Sequence, residues 1–265
     1  MEQHISHGRR LWLYGLTGLI MLFLIAPTFI VVPMSFSSSN SLMFPPPGFS
    51  LRWYESFFTR PQWQDATLVS VRVSLLTMLL ATPIGTAAAY GLHVGRFRLN
   101  GLVYGALIAP LMVPVILISI GLYFIYARLG LVNTTLGLVL ADTLLAVPFV
   151  LVTVSAGLKS YDMSQEMVAR SLGASRLWAF LTVTLPQIRY SVISGALLAF
   201  IVAFDEVVIA MLISGGDGAT LTKRMFSSLR DEVDPTIAAI SSLLIVLTTI
   251  PPMIVYFLAN RRKTD

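Results

Sequence analysis

Residues 164–188 read SQEMVARSLGASRLWAFLTVTLPQI, a stretch lying between two long apolar runs and resembling neither. It is too polar at its start to cross a bilayer and too patterned to be a plain linker. Ser164 is placed as a helix N-cap, and Glu166 in the first turn suits the positive end of the helix dipole. Met163, Met167, Leu172 and Trp178 give a partial apolar stripe, with Arg170 and Arg176 off it. Gly173 interrupts that pattern. A mid-helix glycine is locally unfavourable, so its use is a bend or the close approach of another backbone. Pro186 then fits the first turn of the helix that follows. Two uses suit such a segment: resting on a membrane face, or docking a partner protein.

The flanking runs decide the class. Of 265 residues, 56 % are hydrophobic and only 12 % charged, against about 25 % charged in soluble chains. A bilayer core about 30 Å thick needs about 20 apolar residues per helix. Six segments qualify, at 11–33, 68–91, 102–127, 136–157, 188–213 and 236–258. Pro27, Pro83, Pro110, Pro114, Pro148, Pro251 and Pro252 fall inside them, which membrane helices tolerate because neighbouring helices satisfy the freed carbonyls. Strand alternation of about ten residues does not recur, which argues against a barrel. The expectation is an all-α integral membrane protein, one domain over residues 1–265, with residues 164–186 as a cytoplasmic segment between spans four and five. The first run follows Arg9-Arg10, but it is longer than the apolar core of a signal peptide and no small-x-small site closes it. It reads as an uncleaved span.

Even parity places both termini on one side. That side holds Arg9, Arg10, Arg96, Arg98, Lys159, Arg170, Arg176, Arg189, Arg261, Arg262 and Lys263. The other holds Arg52, Arg60, Arg72, Arg128, Lys223, Arg224 and Arg230, balanced by Glu55, Asp65, Asp217, Asp231, Glu232 and Asp234. The more basic flanks are cytoplasmic by the positive-inside rule, which also explains the net charge of +5 without nucleic acid. Between the first two spans, residues 34–67 carry a Ser-rich stretch, a Pro run and then a short interfacial helix. Trp53 and Tyr54 are read there as headgroup-belt residues, with substrate contact by Trp53 the alternative. Residues 214–235 read as an exposed loop.

The fifth run contains an anomaly, AFDEVVIAM at 203–211. Each acid costs roughly 2.5–3.5 kcal/mol to insert at a helix centre. On a continuous helix Asp205 and Glu206 point about 100° apart, so one faces a pathway and the other its wall. They are candidates for a cation path, with a protonated, hydrogen-bonded structural pair as the alternative. Asp142 in the fourth run is a further candidate. Tyr123, Tyr126 and Phe149 offer cation–π faces but fit packing equally.

The spacing around Gly173 resembles the EAA loop of ABC-transporter permeases: Glu-Ala-Ala, three residues, Gly, nine residues, Ile-x-Leu-Pro. Here nine residues separate Gly173 from Val183-Thr184-Leu185-Pro186, while the Glu-Ala-Ala positions hold Met167, Val168 and Ala169, with Glu166 one residue early. GFSLRWYESFF and FDEVVIAMLISG are similar to the spermidine/putrescine permeases, the PotC-like branch, which places its acidic pair at Asp205-Glu206. Nearly the whole chain is covered. The resemblance implies half of a translocation path for a small cationic solute such as putrescine or spermidine, or another small amino compound. It implies a second, similar permease subunit, two copies of an ABC ATPase subunit and a periplasmic binding protein, in a bacterial inner membrane. It also implies that Glu166, Ala169, Arg170, Leu172, Gly173, Ala174 and Ser175 couple to the ATPase. ATP and Mg belong to that partner, because this chain has no phosphate-cradling Gly-x-x-x-x-Gly-Lys-Ser/Thr loop of its own.

Other chemistries fit poorly. There are no cysteines, and His4, His7 and His93 lie at polar ends without a metal-ligand pattern. An intramembrane aspartyl protease would need Gly-x-Gly-Asp where the chain has Ser214-Gly215-Gly216-Asp217. A proton-coupled secondary transporter would leave the 164–188 segment without a purpose, and no internal repeat is evident.

Overall fold

The computed structural model describes residues 11–95, 98–231 and 233–261, except the side chains of 217, 248 and 250–261. The bases Arg9, Arg10, Arg96, Arg262 and Lys263, the histidines His4 and His7, and Glu232 lie outside the described residues. Among those described, the chain is helical without a named strand; the single β-bridge joins Ser37 and Phe49. In order the helices are α1 (Leu11–Ser35), α2 (Arg52–Thr59), α3 (Pro61–Val94), α4 (Asn100–Ile108), α5 (Val115–Leu129), α6 (Thr135–Ser160), α7 (Ser164–Ser171), α8 (Arg176–Ala179), α9 (Leu185–Gln187), α10 (Arg189–Asp205), α11 (Val208–Ile213), α12 (Leu221–Asp231) and α13 (Thr236–Arg261). The chain divides into two compact units, residues 65–226 forming one and the flanking segments the other.

Three of the six apolar runs form single helices long and apolar enough to cross a membrane, α1, α3 and α6. Two do not run straight. The third run becomes α4, a 3-10 turn at Ala109–Leu111, and α5, meeting at 94°. Pro110 and Pro114 explain the corner, since neither can donate to a continuing ladder and Pro114 sits extended (ψ 125°) ahead of α5. The fifth run bends by 81° at Ile188 and breaks again after Asp205. Pro186 therefore ends up in the short α9, one turn before the helix it was expected to open. The 214–235 segment, read as a loop, instead contains the amphipathic α12.

In the flanking unit α1 packs on α13, and α2 also lies against α13. Ser56 and Thr236 share a hydrogen bond of 3.1 Å, and Arg60 pairs with Asp234 at 3.1 Å. Trp53 is buried here beneath the Arg52 guanidinium, which lies 4.4 Å from its ring centroid.

The larger unit is organised around α6, whose Ala146, Val150, Leu151, Val154 and Leu158 are buried. Small residues let its neighbours approach. A Cβ on Gly85 of α3 would fall 2.6 Å from Val150 Cβ, and one on Gly195 of α10 would fall 3.3 Å from Val150 Cα. Val150 is thus clasped by two glycines on different helices, the close packing that holds helices together where lipid supplies no hydrophobic drive. Gly85→Leu is expected to destabilise the unit by about 1–3 kcal/mol through overpacking. Lower yield of folded protein and a lower unfolding temperature in detergent would check it; wild-type values would mean that α3 stands off from α6.

Candidate functional site

The acidic pair sits where a helix stops. Asp205 is the last residue of α10, and Glu206 turns extended (φ −70°, ψ 117°) before α11 begins. The two acids therefore do not share a continuous helix, so the 100° separation of helical neighbours does not hold for them. Asp205 is exposed, with no hydrogen-bond or ion-pair partner among the described residues. It sits at the negative end of the α10 dipole, where a carboxylate is disfavoured and a cation favoured. Glu206 is half-buried and occupied: its Oε1 accepts from the backbone N–H of Ile209 at 2.9 Å, capping α11. The Glu206 carbonyl accepts from Thr222 Oγ1 at 3.1 Å.

Two further contacts hold this break. Lys223 Nζ donates to the carbonyls of Ala210 at 3.0 Å and of Ser214 at the end of α11. Leu221 N–H donates to Ser70 Oγ on α3 at 2.8 Å. Sequence reasoning misses Thr222 and Lys223. A Thr-Lys pair opening an amphipathic helix carries no motif, and its role emerges only once α12 folds back.

Asp142 is buried on α6 at 3 % exposure, and its Oδ1 has no hydrogen-bond partner among the described residues. Its neighbours Leu138, Val139, Ala141 and Leu145 pack with Tyr126, Ile209, Ala210 and Ile213. It lies within electrostatic reach of Glu206 and of Tyr126. The fold brings Asp142 and Glu206 within electrostatic reach of each other, with Asp142 buried, Glu206 half-buried and Asp205 exposed. Trp53 belongs to the flanking unit.

The second candidate region is the bent segment from α7 to α9. Helix α7 is started by Asp162, whose carboxylate accepts from Ser164 N–H at 3.0 Å and Ser164 Oγ at 2.7 Å, so Ser164 is the capped residue rather than the cap. Those bonds hold the exposed Asp162 carboxyl below its usual range. The helix ends in a Schellman arrangement: Ala174 N–H donates to Ala169 O at 3.2 Å and Gly173 N–H to Arg170 O at 3.1 Å. Gly173 adopts φ 97°, which a Cβ would strain, and beyond its chain neighbours nothing among the described residues lies within 4 Å of where that Cβ would be. It serves the bend, not a close approach within this chain. Ser175 then caps α8 by accepting from Trp178 N–H at 3.3 Å.

Polarity across this segment is inverted. Glu166 is buried, accepting from Tyr90 Oη of α3 at 2.5 Å and from Thr184 Oγ1 at 2.5 Å. The apolar stripe faces out instead, with Met167 59 %, Leu172 83 % and Trp178 63 % exposed. Arg170 and Ser175 are exposed beside it, and Ala169 and Ala174 half-buried. An exposed apolar ridge of this kind suits a partner protein or a membrane face.

Residues 81–264 match the family described as binding-protein-dependent transport system inner membrane component. The chain is 33 % identical over 249 residues to the putrescine transport system permease protein PotI of Escherichia coli strain K12, covering 91 % of this chain and 88 % of that one. It is 32 % identical over 201 residues to the spermidine/putrescine transport system permease protein PotC of Haemophilus influenzae, covering 76 % and 78 %. Its fold matches that of a bacterial ABC transporter involved in the import of the acidic polysaccharide alginate, with a TM-score of 0.76, 16 % identity, and coverage of 97 % and 98 %. The chain belongs to the binding-protein-dependent transport system inner membrane components: a helical, multi-pass transport subunit of the inner membrane, not an enzyme.

Proposed function

We propose that this chain is one permease subunit of an ATP-driven importer whose cargo is a polyamine, putrescine or spermidine, as in the relatives PotI and PotC. The observation that carries the cation reading is the carboxylate of Asp205, exposed and without a partner among the described residues, at the C-terminal end of α10. A helix end pointing its free carbonyls at a carboxylate is a local well of negative potential for an ammonium group. Broken membrane helices use their C-terminal ends for cations in this way. Glu206 fixes the break, and Asp142 lies buried within electrostatic reach of it.

In this reading the chain spans the bilayer six times as one domain, counting each bent pair and α13 as spans, with both termini cytoplasmic. A second permease subunit completes the path, and a periplasmic binding protein delivers the cargo. Each α7–α9 segment docks on one copy of an ATPase subunit, which holds ATP and Mg. The exposed Met167, Leu172 and Trp178 supply the apolar contact, and the Gly173 bend sets its angle. High affinity belongs to the binding protein, because a path that holds its cargo tightly does not release it.

Uptake of labelled putrescine and spermidine into vesicles tests the proposal, with the assembled transporter in the membrane, ATP inside and binding protein outside. Uptake of either that requires both ATP and binding protein is the expected result. No polyamine uptake while binding protein still stimulates ATP hydrolysis would keep the importer and discard the cargo.

A further inference from the structure

A second polar site lies away from the acidic break. The ends of α3, α4 and α6 flank an open pocket of about 390 Å³ lined by Leu92, His93, Asn100, Tyr104, Ser155 and Lys159. That is ample for a small polar group. His93 and Lys159 are both exposed and have neither a hydrogen bond nor an ion pair among the described residues. Asn100 is held in place from one side only. Its Nδ2 donates to Leu92 O at 2.8 Å and to Gly95 O at 3.1 Å, while its buried Oδ1 accepts nothing among the described residues. The first turn of α4 contributes the positive end of its dipole. The pocket therefore offers an ammonium group, an imidazole and a helix end for an anion, and a fixed acceptor for a neighbouring hydrogen-bond donor.

The surroundings select the source of that anion. Leu99 and Leu102 beside the pocket are 60 % and 70 % exposed, so an apolar surface leads away from it along α4. A phosphate on an acyl-chain carrier fits both parts. We infer that this pocket binds the headgroup of a phospholipid, its phosphate on Lys159, His93 and the start of α4, its donor on Asn100 Oδ1. Glycerol and ethanolamine headgroups carry such a donor, whereas choline carries the same phosphate without one. Basic pockets between helix ends are sites of this kind.

The test uses the assembled transporter, stripped of lipid in detergent and titrated with short-chain phosphatidylglycerol, phosphatidylcholine or inorganic phosphate. Bound species are counted by native mass spectrometry. One phosphatidylglycerol per copy of this chain is expected, more weakly replaced by phosphatidylcholine and not displaced by equimolar inorganic phosphate. Lys159→Gln should weaken that binding about fivefold, the contribution of one cation near an anionic headgroup. His93→Gln, which removes the imidazole assigned to the phosphate, serves where Lys159→Gln does not assemble and should weaken it less. Unchanged phosphatidylglycerol binding in the variant that assembles would overturn the site. Equal occupancy by inorganic phosphate would overturn the lipid assignment, and an intact wild type that binds no phosphatidylglycerol would overturn both.

Discussion

Asp205→Asn is expected to cut polyamine uptake by roughly 10- to 150-fold, the equivalent of losing one charge-assisted hydrogen bond of about 1.5–3 kcal/mol. The size follows from position. Asp205 is exposed, unpartnered among the described residues and at the end of α10, so its charge is available to cargo. Its removal should relieve the unfavourable alignment with the α10 dipole, leaving the stability of the subunit unchanged or slightly raised. Binding-protein-stimulated ATP hydrolysis should persist, because nothing in the α7–α9 segment is altered. Glu206→Gln makes the useful contrast. Glutamine retains an oxygen to accept from Ile209 N–H, so the break survives and uptake falls less. Glu206→Ala would remove the cap of a six-residue helix and should cost stability of about 0.5–2 kcal/mol as well as uptake. Wild-type uptake by Asp205→Asn, measured in the same vesicles, would end the reading of this carboxylate as part of the path.

That contrast marks how far the residues can be read without the fold. Composition and run length disclose an integral helical protein. Gly173 discloses the bend of the 164–188 segment, because a glycine is what a positive φ there requires. The acids at 205 and 206 stand out as an anomaly, but their division of labour does not. A period of 3.6 residues continues through the run on paper, whereas the break is held by tertiary contacts. Thr222 reaches the Glu206 carbonyl from 16 positions away, and Lys223 reaches the Ala210 carbonyl from 13. No local pattern announces either.

The third run departs from expectation for a related reason. Run length treats Pro110 and Pro114 as tolerable one at a time, yet together they turn α4 into α5 through 94°. In the bent segment the apolar positions are legible but not the direction they face. An apolar stripe is expected to point inward. Here Glu166 points inward instead, because Tyr90 and Thr184, 76 residues before it and 18 after it, supply its partners.

Glu166→Ala should uncouple the transporter. The substitution removes the acceptor of two buried or part-buried bonds and leaves Tyr90 Oη and Thr184 Oγ1 without it. A buried polar group that loses its partner costs roughly 1–3 kcal/mol, so the attachment of α7 to α3 and to the π-helix at Phe180–Thr184 should loosen, with Thr184 Oγ1 keeping only its 3.5 Å contact to Tyr161 Oη. The apolar ridge itself is untouched, since Met167, Leu172 and Trp178 keep their side chains. The ATPase should therefore still bind and still hydrolyse ATP, while its closure no longer moves α3 and α10 and uptake falls at least tenfold, about 1.4 kcal/mol of lost coupling. Tyr90→Phe loses one of the two bonds and should lie between wild type and Glu166→Ala in both unfolding temperature and uptake. Leu172→Asp should do the reverse, weakening capture of the ATPase with the subunit's unfolding temperature unchanged, because Leu172 is almost wholly exposed. Measuring ATP hydrolysis, uptake and co-purification of the ATPase on the three variants separates the latch from the ridge. A Glu166→Ala transporter with normal uptake per ATP hydrolysed would show that the buried carboxylate holds the fold of this segment and transmits nothing.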